Sequence, residues 1–277
     1  MKEKQASYYQ LCGQKDIVSL VRRLLDSGAY KLRDDGKIEG DLTMGWDTPW
    51  EHVVHSHHLD CNLWHKIMFD HLGRKFVPSK CQNCYKVVVR PKNLRQLFAL
   101  RNIEIRLGRP SKLGIETRDS VHGNYGGYFY NWGLEQGLER YKEVRKAVDE
   151  DEVLGPDIGV LLKRACTEYE HAFGDSDKWE ITDEQMEVER LIEEWFANDV
   201  VYRVQAPHIV HRVHRGWIQY AYKIGDPTYA EFTDGEPLYP PYVTYHHLAE
   251  EKEDDRTGET TDTGMDCGGD QGCSCIT

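Results

Sequence analysis

The chain predicts an α/β fold built mainly from parallel βα units, as a partial barrel or an open sheet, with helices added at both ends. Three observations carry this. Short apolar or β-branched runs recur at 85–90, 112–117, 125–130 and 157–163. Segments of helical period separate them, with Leu94, Leu97, Phe98 and Ile103 in one and Leu134, Leu138, Tyr141, Val144 and Val148 in the other. Strand, helix and strand in succession mark parallel units, whose right-handed crossovers place helices outside the sheet and functional groups at the strands' carboxyl ends.

Taken in order, residues 16–26 space Ile17, Val18, Leu20, Val21, Leu24 and Leu25 as an amphipathic helix that stops at Ser27 and Gly28. A polar stretch with turns at Gly36 and Gly40 runs to Trp50, and residues 59–72 return to helical period. The β-branched run at 85–90, stopped by Pro91, reads as a strand buried on both faces, as does 157–163. Helices follow at about 182–197 and at 207–224, the latter opened by Pro207. Three divisions result: an N-terminal helical or irregular segment (1–50), an α/β metal-binding catalytic domain with C-terminal helices (51–248), and a disordered acidic tail (249–277).

The first residues lack the apolar core of an export signal, and no apolar run reaches the roughly 18–20 residues that a membrane span needs, so a cytoplasmic protein is expected. The net charge of −12 is unevenly spread. Residues 249–277 hold nine acidic against two basic side chains, whereas 86–119 hold nine basic against three acidic. A locally basic segment attracts phosphate whatever the total charge, although a solvated face with ordinary ion pairs gives the same composition.

Eight cysteines in a long chain without an export signal point to metal ligands or catalytic thiols. Cys81 and Cys84 form a C-x-x-C pair just before a strand, which lets two thiolates reach one metal from a tight turn. Upstream, Cys61 and His65 stand one helical turn apart. Zinc would take Cys61, Cys81, Cys84 and one histidine; an iron–sulfur cluster would take the three thiolates. Separately buried cysteines remain the plain alternative. Around the presumed strand ends, Glu116, Gly126 and Gly127 join Tyr125, Tyr128 and Tyr130, glycines allowing close backbone approach and tyrosines able to stack on a base or pack in the core. Glu168 and Glu170 are candidate acid or base groups. On the helix at 207–224, His208, His211 and Arg212 share a face while His214 lies off it, which suits a phosphate-contacting surface better than a three-histidine metal site.

Cys61, Cys81 and Cys84 entering a β/α domain with Gly-rich and acidic strand ends resemble, in layout, the radical S-adenosylmethionine enzymes. The family's usual C-x3-C-x-x-C is absent, since nineteen residues separate Cys61 from Cys81. The resemblance implies a [4Fe-4S] cluster on those three cysteines and S-adenosylmethionine on its open iron, with Glu116, Gly126 and Gly127 as cofactor contacts. The compact chain with its acidic tail also resembles a bacteriophage protein; phages that hypermodify thymine encode radical enzymes that isomerise an amino-acid adduct on the base, which would suit the basic segment 86–119 and the tyrosines and would place the chain in the host cytoplasm. The expected function is therefore a radical iron–sulfur isomerase or modifying enzyme acting on a nucleobase-linked substrate; the alternative is a zinc-stabilised nucleic-acid-binding protein or enzyme.

Overall fold

In a computed structural model, residues 22, 25, 26, 28, 30–40, 49–54, 77–195, 205–239, 243–246 and 248 are described. The helix expected at 16–26 falls almost wholly outside these residues, as do the segment 59–72, with Cys61 and His65, and the acidic tail. Residues up to Leu238 form one compact unit, and Tyr239–Thr277 cluster separately. No helix among the described residues is long and apolar enough to cross a membrane.

A small hairpin pairs β1 (Tyr30–Leu32) with β2 (Ile38–Gly40) around a turn at Gly36, whose φ of 80° suits glycine. The main sheet has five strands: β3 (Trp50–Val54), β4 (Cys84–Arg90), β5 (Ser111–Ile115), β6 (Tyr125–Trp132) and β7 (Gly159–Arg164). Their order is β3-β5-β6-β4-β7, and every neighbouring pair is antiparallel. The expected parallel βα units are not there. Helix α2 (Leu94–Leu107) does carry the chain from β4 to a strand of the same direction, β5, but β6 is threaded between them. Helix α3 (Leu134–Asp149) likewise links β6 to β7 across β4. This is the split β-α-β-β-α-β arrangement known as ferredoxin-like, with β3 added on one edge. Strand β7 is an edge strand with alternating exposure, not a strand buried on both faces.

Both crossover helices cover one face. Leu94, Leu97, Leu100 and Ile103 of α2 and Val144, Ala147 and Val148 of α3 pack on Val87, Val89, Leu113, Ile115, Tyr125 and Phe129 of the sheet. Helix α2 begins where the Asn93 side chain accepts from the Gln96 amide at 2.9 Å, and ends at Gly108 in a left-handed conformation, so both ends are capped. Helix α6 (Pro207–Ile224) adds Val213, Trp217 and Ala221 to the same core. Just past it, Asp226 accepts from the Leu94 amide and the Tyr125 hydroxyl, both at 2.7 Å, tying α6 to α2 and β6. Two shorter helices, α1 (Ser79–Gln82) and α4 (Thr167–Phe173), join Trp179 in a second apolar cluster. Helix α5 (Asp183–Glu193) is fastened to α1 by Glu189, which accepts from the Ser79 amide at 2.9 Å.

The twin glycines of β6 face opposite ways. Gly127 lies under α2, where a Cβ would overlap Leu100 and come within 3.0 Å of Glu104; Gly126 lies on the other face, where a Cβ would meet the Tyr128 ring and the Arg90 guanidinium. Gly127→Ala is therefore expected to cost about 1–2 kcal/mol in urea unfolding through overpacking. Gly126→Ala should cost less, because its nearest neighbours stand 3.1 and 3.2 Å from the added Cβ, against 2.4 Å at Gly127. Equal losses would count against this reading.

Candidate nucleic-acid interface

Strand pairing fixes which side chains share the sheet face turned away from α2 and α3. Alternation along β4 puts Cys84, Lys86, Val88 and Arg90 there; along β6, Gly126, Tyr128, Tyr130 and Trp132; along β7, Gly159, Leu161 and Lys163. Lys112 and Gly114 of β5 and Trp50 of β3 extend it. The register gives rows across the strands: Lys112, Tyr128, Val88 and Leu161 in one, Tyr130, Lys86 and Lys163 in the next, then Trp132 opposite Cys84.

A cation stands over each of three aromatic rings on this face: Lys86 over Tyr130 at 5.5 Å, Arg90 over Tyr128 at 5.7 Å, and Lys112 over Trp50 at 4.9 Å. Trp50 also meets Tyr128 edge-on, with ring centres 5.5 Å apart. Tyr128 is buried, Tyr130 and Trp50 are half-buried, and Trp132 (47%) and Leu161 (42%) are exposed.

At the β5 end, Glu116 is buried and held on three sides. Arg118 Nε donates to its Oε1 at 2.7 Å and the Tyr128 hydroxyl to its Oε2 at 2.7 Å, while the Arg118 amide also donates to Oε1 at 3.1 Å. Burial acts to raise the Glu116 carboxyl, but these partners outweigh it and hold it below the usual carboxylate range. The same guanidinium reaches Glu168 of α4 at 3.1 Å, so α4 and the loop after β5 close over part of the face.

At the opposite end, Lys86 Nζ donates to Cys166 Sγ at 3.2 Å, and Lys163 Nζ donates to Thr167 Oγ1 at 2.7 Å and Glu170 Oε2 at 3.2 Å. Burial pushes the Lys163 ammonium below its ordinary value; Glu170 opposes this and Lys86 adds to it. Burial likewise pushes the Cys84 thiol up, against the pull of Lys86. Ala165, which precedes Cys166, is one of two non-glycine described residues with positive φ, at 52°. The turn out of β7 is thus strained where it meets the lysine pair.

The residues expected to hold a metal are distributed as follows. Cys81 lies on α1 in the apolar cluster with Val77, Ala165, Tyr169 and Trp179. Cys84 opens β4 on the face beside Lys86 and Cys166. Cys61 lies outside the described residues. Among those residues no three or more His, Cys, Asp or Glu side chains converge as a metal site. Of the expected cofactor contacts, Glu116 and Gly126 are on the face, whereas Gly127 is beneath α2. Tyr125 belongs to the helix-side core and donates to Asp226; Tyr128 and Tyr130 belong to the face. His214 points inward to Glu51, with Nε2 and Oε2 2.6 Å apart, while His208 and His211 are exposed, as their helical positions imply.

Lys86 and Lys112 belong to the basic segment 86–119, whereas Trp50 and Trp132 stand outside the sites expected from the sequence. Their signal is the two-residue alternation within 84–90 and 125–132, which separates core from face once both are known to be strands. The chain matches no protein-family model, no curated protein and no solved structure.

Proposed function

We propose that the sheet face turned away from α2 and α3, beside the part covered by α4, binds single-stranded nucleic acid, its phosphates on Lys86 and Lys163 and its bases on Tyr130 and Trp132. One observation carries this reading: Lys86 and Lys163 are directly opposite in the β4–β7 ladder, and Lys86 is opposite Tyr130. Like charges facing each other across a ladder destabilise the pairing, by a few tenths of a kcal/mol to about 1. Glu170 offsets part of this repulsion from the Lys163 side at 3.2 Å; a phosphate beside Lys86 supplies a second anion, and the neighbouring aromatic rings offer the stacking surface that a base needs. Four-stranded antiparallel sheets that take up single strands use the same combination of strand aromatics and cations.

The nucleic-acid partner expected from the basic segment 86–119 is thereby retained, and the radical chemistry is set aside. That chemistry rests on a parallel β/α layout, and the sheet is antiparallel. Cys61, the third expected cluster ligand, lies outside the described residues.

Tryptophan fluorescence during titration with oligothymidylate tests the proposal. Trp132 should be quenched on binding, and Trp132→Ala should cost about 1–3 kcal/mol of affinity, the usual worth of one stacked base. The logarithm of the binding constant should fall linearly with the logarithm of salt, by about 0.7 for each phosphate neutralised. A salt-independent response, or none, contradicts the proposal.

A further inference from the structure

We propose that Cys166 and Cys84 form a peroxide-reactive thiol pair, in which Lys86 holds the first sulfur to react and Cys84 closes the disulfide. The pair stands whether or not the sheet face binds nucleic acid. Cys84 opens β4, and the chain leaving β7 still follows it past the last ladder pair, Tyr85 with Arg164: the Ala165 amide donates to the Cys84 carbonyl at 2.7 Å. Cys166 comes next. Its sulfur accepts from Lys86 Nζ at 3.2 Å, so it lies on the face that Lys86 shares with Cys84, two residues earlier on the same strand. The backbone beside Cys84 and the ammonium two residues on thus confine Cys166 to the strip between them. Lys86, Lys163 and Cys166 all act electrostatically on Cys84, and Lys86 and Cys166 act on Lys163. Both thiols are free and half-buried.

The turn that presents Cys166 is built at the expense of local stability. Cys166 is the N-cap of α4, where Ser, Thr, Asp or Asn would satisfy a helix amide, yet its side chain caps nothing. Ala165 before it has a φ of 52°, a conformation ordinarily left to glycine. The thiol is turned to Lys86 instead of to the helix. A thiolate is the form that attacks a peroxide, and the Lys86 ammonium is a counter-charge already in contact with that sulfur. Cys84 is less suited to react first, because burial pushes its thiol up. Cys81, buried in the apolar cluster against which Cys166 packs, is the natural competitor for the second position.

Hydrogen peroxide as the oxidant balances the chemistry. The Cys166 sulfur attacks one peroxide oxygen; the S–O bond forms, the O–O bond breaks, and the departing hydroxide leaves as water with the thiol proton. The Cys84 sulfur then attacks the sulfenic sulfur; the S–S bond forms, the S–O bond breaks, and a second water carries off the Cys84 proton. Two thiols lose two electrons between them, and one peroxide becomes two waters. Lys86 is unchanged at the end.

The full chain, reduced, treated with stoichiometric hydrogen peroxide, blocked with iodoacetamide and digested without reductant, provides the test by mass spectrometry. A cross-linked peptide joining Cys84 to Cys166 should be the main disulfide, and should lose that dominance when the chain is unfolded in urea before oxidation. Cys84→Ser should halt the reaction at a Cys166 sulfenic acid that dimedone captures, and Cys166→Ser should leave Cys84 reduced. Lys86→Met should slow oxidation of Cys166 about tenfold while circular dichroism shows the fold intact. Pairing dominated by Cys81, oxidation spread evenly over the eight cysteines, no oxidation of Cys166, or an unchanged rate in Lys86→Met overturns the proposal. Should Lys86→Met unfold the chain, Lys86→Gln takes its place under the same criteria.

Discussion

Replacing Glu104 with leucine is expected to make the protein more stable than its parent, by an amount that widens as the pH rises. Glu104 stands on the inner side of α2 against Gly127, with no exposed surface and neither carboxyl oxygen in a full hydrogen bond. Burial pushes its carboxyl well above the ordinary range; the Ser111 hydroxyl and Arg101 oppose this and the Glu51 carboxylate adds to it. The folded chain therefore keeps a proton that the unfolded chain releases near its ordinary value of about 4.3. Above that pH the folded state binds more protons than the unfolded one, so stability falls with rising pH, by about 1.4 kcal/mol per unit until the folded group also ionises. Leucine has nothing to ionise and a similar bulk. It removes an unsatisfied polar group worth about 1–3 kcal/mol and abolishes that slope. Urea unfolding from mildly acid to mildly alkaline pH checks this; a variant less stable than the parent throughout, or one with the parent's slope, contradicts it.

Removing Arg118 should do the opposite at the other end of the sheet. The Glu116 side chain has no exposed surface, and the guanidinium is its principal partner. Breaking a buried pair from one side typically costs about 3–5 kcal/mol, because a charge is left buried and unpaired. Arg118 is itself 40% exposed, so water reaches part of the site and the expected loss for Arg118→Ala is nearer 2–3 kcal/mol. The Glu116 carboxyl lies below its unfolded value in the parent. Its contribution is thus present above that unfolded value and is lost as the pH falls through the lower folded one. Without Arg118 burial dominates and the sign reverses: the buried Glu116 carboxyl favours its protonated form, so the variant's deficit should shrink as the pH falls. Adding Glu116→Gln to Arg118→Ala should restore part of the stability, since an amide tolerates burial beside the Tyr128 hydroxyl. Additive losses in this cycle, measured by urea unfolding, would show that the two side chains do not act as a pair.

The contrast between these two glutamates is not visible in the chain. Both follow apolar residues and both lie in the basic segment 86–119, yet one packs against a glycine in the core and the other meets an arginine two residues away. Periodicity is a good guide to the helices: α2, α3 and α6 lie where their apolar spacing places them, and α6 spans Pro207–Ile224. The strands are legible too, but their partners are not. A helix between β4 and β5 is compatible with adjacent parallel strands and equally with a third strand threaded between them. One clue does lie in the chain: residues 116–124, between β5 and β6, have no helical period and leave no room for a crossover, so those two strands have to be antiparallel. From that pairing the alternation along β6 follows, and with it the split between Tyr125 in the core and Tyr128 and Tyr130 on the face. The juxtaposition of Lys86 and Lys163 is beyond reach, because it depends on register between residues more than seventy positions apart.

Photocrosslinking a bromodeoxyuridine-substituted single strand to the full chain, followed by mass-spectrometric mapping of the adducts, tests most directly whether bases lie on the sheet face opposite α2 and α3. Adducts at Tyr130 and Trp132, lost in high salt, are the predicted result. Adducts confined to residues outside the rows of Lys112, Tyr130 and Trp132, or none under conditions where the strand is bound, would contradict it.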